Sequence, residues 1–298
     1  MTTDTAYPCQ TAHRLVFIGG GNMAEAIFGG LVRQDYPADH IIVTAPRQER
    51  LNNLQLKFPG LLLTSDNRAA ITGKAFNCAP ADIVILCVKP QILASVVAEI
   101  KPIVSKNMLV LSVAAGISTS SITQWFGCDI PVIRCMPNTP TFVGEGVTGL
   151  FATQHVTEKQ KILTEKILKN VSPIVCWVEN EDQIDTIGGL SGSGPAYFFL
   201  FMDSMIRKAV EMGLPQNTAR ELCAQTCLGA AEMVLKTTDP LGTLRRNVTS
   251  PNGTTQAGLE TMERFGLPGI IAEAIDAANL RRAELAKELK EKALKSPN

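Results

Sequence analysis

The amino-acid sequence predicts an α/β fold in two domains: residues 1–179 built on a mostly parallel sheet with helices on both faces, and residues 180–298 all-α. Three observations carry that reading. Short apolar runs recur as far as Val178 with helical or loop segments between them, the alternation expected of βαβ units. Strand signals then stop, and every later segment has helical period. A chain of 298 residues is also long for one hydrophobic core.

The first element sets the type of the N-terminal domain. Leu15 to Ile18 reads as a buried parallel strand, followed by Gly19-Gly20-Gly21-Asn22-Met23-Ala24. Gly19 makes a tight turn, Gly21 lets backbone approach a pyrophosphate, and Ala24 lets the next helix pack closely on the strand. That helix shows Ala24, Ile27, Phe28 and Leu31 at helical spacing. Its unpaired N–H groups and positive dipole end would stabilise the anion without a basic side chain. A glycine-rich turn by itself is common in unrelated proteins. The strand before it and the helix after it make this one a Rossmann-type dinucleotide site.

His40 to Thr44 reads as the second strand. An acidic residue near its end would bond the ribose 2′-hydroxyl of NAD, but Thr44-Ala45-Pro46-Arg47 offers a hydroxyl, free backbone and a guanidinium, which suits the 2′-phosphate of NADP. Leu61 to Thr64, Ile83 to Val88 and Leu109 to Val113 are strands three to five. Strand four ends in Val88-Lys89-Pro90 and strand five runs into Ala114-Ala115-Gly116, where small residues leave room at the carboxyl edge that ligands of open α/β sheets use. Lys89 is either a surface lysine or a cofactor contact. Val132 to Cys135 follows, then Met136-Pro-Asn-Thr-Pro140, whose prolines fix an extended turn. Val147 to Ala152 and Ile174 to Val178 complete the strands, and Thr157 with Gln160 forms a capping box for a helix running to about Asn170.

In the helical part, Ser191 to Tyr197 reads as a flexible small-residue loop ending with Pro195 in a helix's first turn. That helix reaches Met212, with Gly213 closing it. Pro215 opens another to about Lys236, apolar on Leu222, Cys223, Thr226, Ala230 and Met233. Such a stripe must be buried against something, and in so short a half a second subunit is the expected cover. Arg246 to Thr255 is a polar turn before a helix that starts near Gln256. Its hydroxyls and free N–H groups could trap a substrate carboxylate, or it could be a plain capped turn.

Composition narrows the partners. Hydrophobic residues make up 45% and charged ones 19%, with 28 basic side chains balancing 28 acidic ones, so no field steers the chain to nucleic acid or a charged membrane. Met1 to Arg14 lacks a basic start and an apolar signal core, and no apolar run is long enough to span a bilayer, which predicts a cytosolic protein. The eight cysteines are scattered without Cys-x-x-Cys or histidine clustering, so they read as reduced, with no metal site. Cys223 and Cys227, four apart on one helical face, read as two buried thiols.

Four stretches together resemble one family: Ile18-Gly-Gly-Gly-Asn-Met23, Val88-Lys-Pro-Gln91, Leu190-Ser-Gly-Ser-Gly-Pro-Ala-Tyr197 and Val248-Thr-Ser-Pro-Asn-Gly-Thr-Thr255. They are similar to pyrroline-5-carboxylate reductase, from about Arg14 to Leu285. The resemblance implies a Rossmann domain, a helical domain that interlocks two subunits, homodimers that often assemble into decamers, and reduction of 1-pyrroline-5-carboxylate to proline with NADPH or NADH. The family's cofactor contacts would fall on Ile18, Gly19, Gly20, Gly21, Asn22 and Met23, on Ala45 and Arg47, on Asn67, on Cys87, Val88 and Lys89, and on Val113, Ala114 and Ala115. Glu181 and Asn247 match positions near the nicotinamide and substrate. The substrate carboxylate would rest on Ser250, Gly253 and Thr254, with the Thr255 hydroxyl near the ring nitrogen as the catalytic group. Where the family has Gly-Gly after the proline this chain has Asn252-Gly253, and asparagine tolerates left-handed backbone better than other non-glycine residues.

The residue inventory agrees with imine chemistry. A ketone reductase needs a general acid for the forming alkoxide, yet His13, His40 and His155 all lie outside the motifs. A cyclic imine can take its proton before hydride transfer, so orientation does most of the work. The competing readings are a β-hydroxyacid dehydrogenase, which leaves the Thr249 to Thr255 loop unexplained, and a non-catalytic dinucleotide sensor, which needs no substrate trap.

Overall fold

The computed structural model describes residues 12–295. Most of Met1 to Arg14, and Cys9 with it, lie outside the described residues. The chain divides into two compact units, one formed by residues up to Gly192 together with Asn279 onward, the other by Ser193–Ala278.

The first unit holds one eight-stranded sheet. Its elements in order are β1 (Leu15–Ile18), α1 (Asn22–Arg33), β2 (Ile41–Thr44), α2 (Gln48–Lys57), β3 (Leu62–Thr64), α3 (Asn67–Ile71), β4 (Ile83–Leu86), α4 (Pro90–Ile100), β5 (Leu109–Ser112), α5 (Thr119–Phe126), β6 (Val132–Pro137), β7 (Val147–Ala152), α6 (Glu158–Lys169), β8 (Ile174–Trp177) and α7 (Asp182–Ile187). The strands lie in the order β3-β2-β1-β4-β5-β6-β7-β8. The pairs are parallel except β6 with β7, which is antiparallel. That reversal has a physical cause: a parallel return needs a crossover of a dozen or more residues, and the link from Pro137 to Val147 is too short to supply one.

The central strands are apolar throughout because both their faces are covered. Leu15, Phe17, Ile41 and Val43 pack on one face against Ala24, Ile27, Phe28 and Leu31 of α1 and Ile167 and Leu168 of α6. The alternate residues Val16, Ile18 and Ile42 pack on the other face against Ala70 and Ile71 of α3, Leu93, Val97 and Ile100 of α4, and Ile122 and Phe126 of α5. The capping box of α6 is present: the Thr157 hydroxyl accepts from the Gln160 N–H, and the Gln160 side chain accepts from the Thr157 N–H.

The first unit extends past residue 179, because α7 and a π-helical turn at Gly188–Gly192 pack on the sheet and the end of the chain returns to cover that turn. Arg282 donates to the Asp185 carbonyl, and a Cβ on Gly188 would come within 2.8 Å of the Arg282 guanidinium. Asn279 fills the space beside Gly189 in the same way. Two segments differ from their expectation: of the flexible loop expected at Ser191 to Tyr197, Ser191 and Gly192 belong to a π turn at Gly188–Gly192 that leads into the next helix, and the extended turn expected at Met136 to Pro140 winds after Pro137 into a 3-10 turn at Thr139–Val143.

The second unit contains α8 (Gly194–Glu211), α9 (Gln216–Lys236), α10 (Leu241–Asn247), α11 (Thr254–Arg264) and the first part of α12 (Leu267–Lys295). No strand follows β8 among the described residues. Pro195 lies in the first turn of α8, and Gly213 follows its end in left-handed backbone. Little of this unit's apolar surface is buried within it. Phe198, Phe199, Leu200, Leu222, Leu228 and Leu235 are each more than half exposed. Cys223 is buried, whereas Cys227 is only partly so.

Candidate functional site

The segments expected to hold a dinucleotide all leave the same edge of the first unit's sheet. Gly19 to Met23 follow β1, Ala45 and Arg47 follow β2, Asn67 opens α3 after β3, Cys87 to Lys89 follow β4, and Val113 to Ala115 follow β5. Because these strands are parallel and hydrogen-bonded neighbours, their carboxyl ends form one continuous rim, with the strand order reversing between β1 and β4.

At that switch point two glycines have different causes. Gly19 has φ 104°, and a Cβ there would lie 2.9 Å from the Cys87 carbonyl oxygen, so the chain itself demands glycine. Cys87 in turn donates its N–H to the Ile18 carbonyl over 2.9 Å, which seals the β1–β4 crossing. Gly21, the N-cap of α1, has extended backbone, and a Cβ there would meet nothing within 4 Å. Among the described residues nothing requires glycine at Gly21. An open backbone face at the start of a twelve-residue helix is what a pyrophosphate needs.

Polar side chains brace this turn. The Gly19 N–H donates to the Thr44 hydroxyl over 3.2 Å, the hydroxyl donates to the Asn67 Oδ1 over 2.7 Å, and the Asn67 amide donates to Glu99 over 3.0 Å. Thr44 is buried, so its hydroxyl acts as a structural link between β1 and α3. Arg50 donates through Nε to the Gly20 carbonyl at 2.6 Å and through Nη2 to Glu25 at 2.5 Å, while Lys57 donates to the other Glu25 oxygen at 2.9 Å. Burial pushes the Glu25 carboxyl up, but the hydrogen bonds from Lys57 and Arg50 outweigh it and leave it below the ordinary range. Arg47, the N-cap of α2, makes no capping bond with its side chain and is exposed.

Glu181 is joined to the same rim through α5. Its carboxylate accepts from the Thr119 N–H at 2.7 Å, from the Thr119 hydroxyl at 2.8 Å and from Arg134 at 3.2 Å, and Arg134 also reaches Asp185 at 2.7 Å. Arg134 stands on β6 and its side chain is 5% exposed. A buried guanidinium between two carboxylates was missed by sequence reasoning, although a lone arginine in the apolar run Val132 to Met136 was a visible signal. A groove of about 1010 Å³ runs beside α5, from Thr119 to Asp129, with Phe151 to His155 opposite, and contains none of the glycine-turn residues. Burial raises the thiols of Cys87 and Cys135 above their ordinary value, the direction that disfavours the thiolate.

The second unit carries Asn247, Ser250, Gly253, Thr254 and Thr255. Asn247 ends α10, and Asn252 adopts φ 57°, the left-handed backbone that its side chain tolerates. The turn is closed by the Gly253 N–H on the Ser250 carbonyl at 3.0 Å and by the Asn252 N–H on the Gln256 side chain at 2.8 Å. The helix begins at Thr254, two residues before the expected start, with Gly253 as N-cap and no side-chain cap. Thr255 therefore lies inside the first turn of α11, and a plain capping role does not account for it. Ser250, Thr254 and Thr255 are exposed around the unpaired N–H groups of that helix start.

Residues 181–285 match a family model described as pyrroline-5-carboxylate reductase dimerisation, and residues 14–116 match one described as NADP oxidoreductase, coenzyme F420-dependent. The pyrroline-5-carboxylate reductase of Vibrio alginolyticus is 43% identical over 275 residues, covering 92% of this chain and 98% of its own length. The chain belongs to the pyrroline-5-carboxylate reductase family. The Pseudomonas aeruginosa member of that family is 40% identical, covering 93% of this chain and 98% of its own. A solved pyrroline-5-carboxylate reductase from Coxiella burnetii superposes with a TM-score of 0.82 at 42% identity, over 94% of this chain and 99% of the other. The Plasmodium falciparum reductase, solved with NADP bound, superposes at 0.81 with 28% identity, over 92% and 98%.

Proposed function

We propose that this chain reduces 1-pyrroline-5-carboxylate to proline with a nicotinamide dinucleotide, NADPH being preferred and NADH accepted, as a cytosolic homodimer or a decamer built from such dimers. The family membership supports the reaction. The open backbone at Gly21 carries the dinucleotide, because a glycine that nothing in the chain explains stands at the start of α1, where an anion binds. Ile18 to Met23, Ala45, Arg47, Asn67, Cys87 to Lys89 and Val113 to Ala115 would line the cofactor from the sheet rim. Arg47 would meet the 2′-phosphate, since its guanidinium is exposed and caps nothing.

A nicotinamide dinucleotide held on that rim would supply the hydride that reduces the imine carbon. The chain's own residues hold and orient. Ser250, Gly253 and Thr254 would hold the substrate carboxylate at the start of α11, and the Thr255 hydroxyl would hydrogen-bond the ring nitrogen, whose proton makes the carbon electrophilic. Asn247 and Glu181 take the supporting places that the resemblance gives them. Residues 180–298 provide the substrate and dimerisation functions, with the exposed leucines and phenylalanines of α8 and α9 as the surface a second subunit covers.

The test is oxidation of NADPH by the purified chain with 1-pyrroline-5-carboxylate, beside NAD reduction with 3-hydroxyisobutyrate. Turnover of the first pair with none of the second supports the reading. The reverse would replace it with a β-hydroxyacid dehydrogenase, and binding without turnover of either would leave a sensor.

A further inference from the structure

We propose that Arg50 is a positioning residue that aims the Gly21 N–H at the dinucleotide pyrophosphate; this rests on the cofactor reading above. Arg50 belongs to α2, yet its side chain reaches back to the turn after β1 and donates to the Gly20 carbonyl at 2.6 Å. The carbonyl of Gly20 and the N–H of Gly21 belong to one planar trans peptide, so they point in opposite directions. Fixing the carbonyl on Arg50 therefore holds the Gly21 N–H on the side of the peptide away from Arg50, and a Cβ on Gly21 would meet nothing within 4 Å. Glycines on both sides of that peptide leave its rotation otherwise weakly restrained.

A second observation concerns charge. Glu25 lies in the first turn of α1, with its side chain 14% exposed, where an uncompensated carboxylate would repel a bound pyrophosphate. Arg50 and Lys57 each take one of its oxygens, so two positive groups surround one negative group. The Arg50 Nε is on Gly20. With Nε and Nη2 held this way, Arg50 acts on the pyrophosphate end, and the 2′-phosphate is left to Arg47.

The experiment is fluorescence titration of the purified full-length chain with NADPH and with NADH, for wild type, Arg50→Met, Arg50→Lys and Glu25→Gln, with steady-state kinetics and melting temperatures on the same samples. Arg50→Met should raise both Kd values by the same factor, roughly ten- to a hundredfold for a lost charge-assisted hydrogen bond. KM for the cofactor should follow while kcat moves much less. Arg50→Lys should recover part, since one ammonium cannot serve Gly20 and Glu25 in a fork. An unchanged Kd in folded Arg50→Met overturns the proposal, as does a loss confined to NADPH. If Arg50→Met does not fold, Arg50→Lys decides: a smaller, equal loss for both dinucleotides supports the role and none overturns it. Glu25→Gln removes a negative charge beside the phosphates and should weaken neither dinucleotide, and a loss there equal to that of the Arg50 variants overturns the proposal by tying the effect to the ion pair. Wild type that binds neither dinucleotide removes the cofactor reading itself, whereas wild type that binds and Arg50→Met that binds equally removes this inference alone.

Discussion

The buried guanidinium of Arg134 donates to the carboxylate of Glu181 across 3.2 Å, and the same carboxylate takes the N–H that starts α5. The pair thus ties β6, α5 and α7 together behind the sheet rim. Glu181→Ala would leave Arg134 buried with Asp185 as its remaining carboxylate and Thr119 without its acceptor. We expect a loss of about 3 kcal/mol in unfolding free energy, the cost of breaking a buried pair by removing one partner. Denaturant titration measures it, and a change within experimental noise would show that the clasp contributes nothing net.

The two glycines of the β1 turn should separate folding from binding. Gly19→Ala forces a Cβ against the Cys87 carbonyl in left-handed backbone and should cost about 2 kcal/mol or more. Gly21→Ala meets open space in extended backbone, so its melting temperature should match wild type. Its NADPH affinity should nevertheless fall, because the added methyl occupies the face proposed for the pyrophosphate. Thermal melts and NADPH titration on both variants check this, and normal NADPH binding by Gly21→Ala would move the phosphates elsewhere.

Arg47→Asp should weaken NADPH roughly tenfold or more while sparing NADH, since it replaces a phosphate donor with a like charge at the N-cap of α2. The ratio of the two kcat/KM values is the measurement. A ratio equal to that of wild type would free Arg47 from the 2′-phosphate.

Thr255→Ala should lower kcat/KM by roughly ten- to a thousandfold, as expected for one positioned hydrogen bond or proton relay. Thr255→Ser should restore most of the loss. Since Gly253 is the N-cap of α11, the melting temperature of Thr255→Ala should change little. Wild-type kinetics in the alanine variant would take Thr255 out of the mechanism.

The central strands were legible in the sequence because, buried on both faces, they read as unbroken apolar runs, and all eight strands fall within a residue or two of their expected places. The glycine turn was legible for the same reason, since its strand and helix are both local. Strand direction at β7 was not read, although the nine residues between Pro137 and Val147 are too few for a crossover. Arg50, Arg134 and Glu99 escaped because their partners lie 25 to 51 positions away in the chain, where no periodicity points. The helical loop of Thr249 to Thr255 spoke through composition, and its left-handed residue proved to be Asn252. The return of α12 to the first unit left no local mark at all.

That return gives the protein an order of assembly. The second unit is an insertion between two pieces of the first, so the residues that cover Gly188 and Gly189, Asn279 and Arg282, leave the ribosome only after the whole second unit. A nascent chain halted anywhere between Ser193 and Ala278 has all eight strands but not the segment that covers their last turn. The sheet is synthesised before the second unit and finished after it, so shortening the chain before Asn279 damages a part made before the second unit.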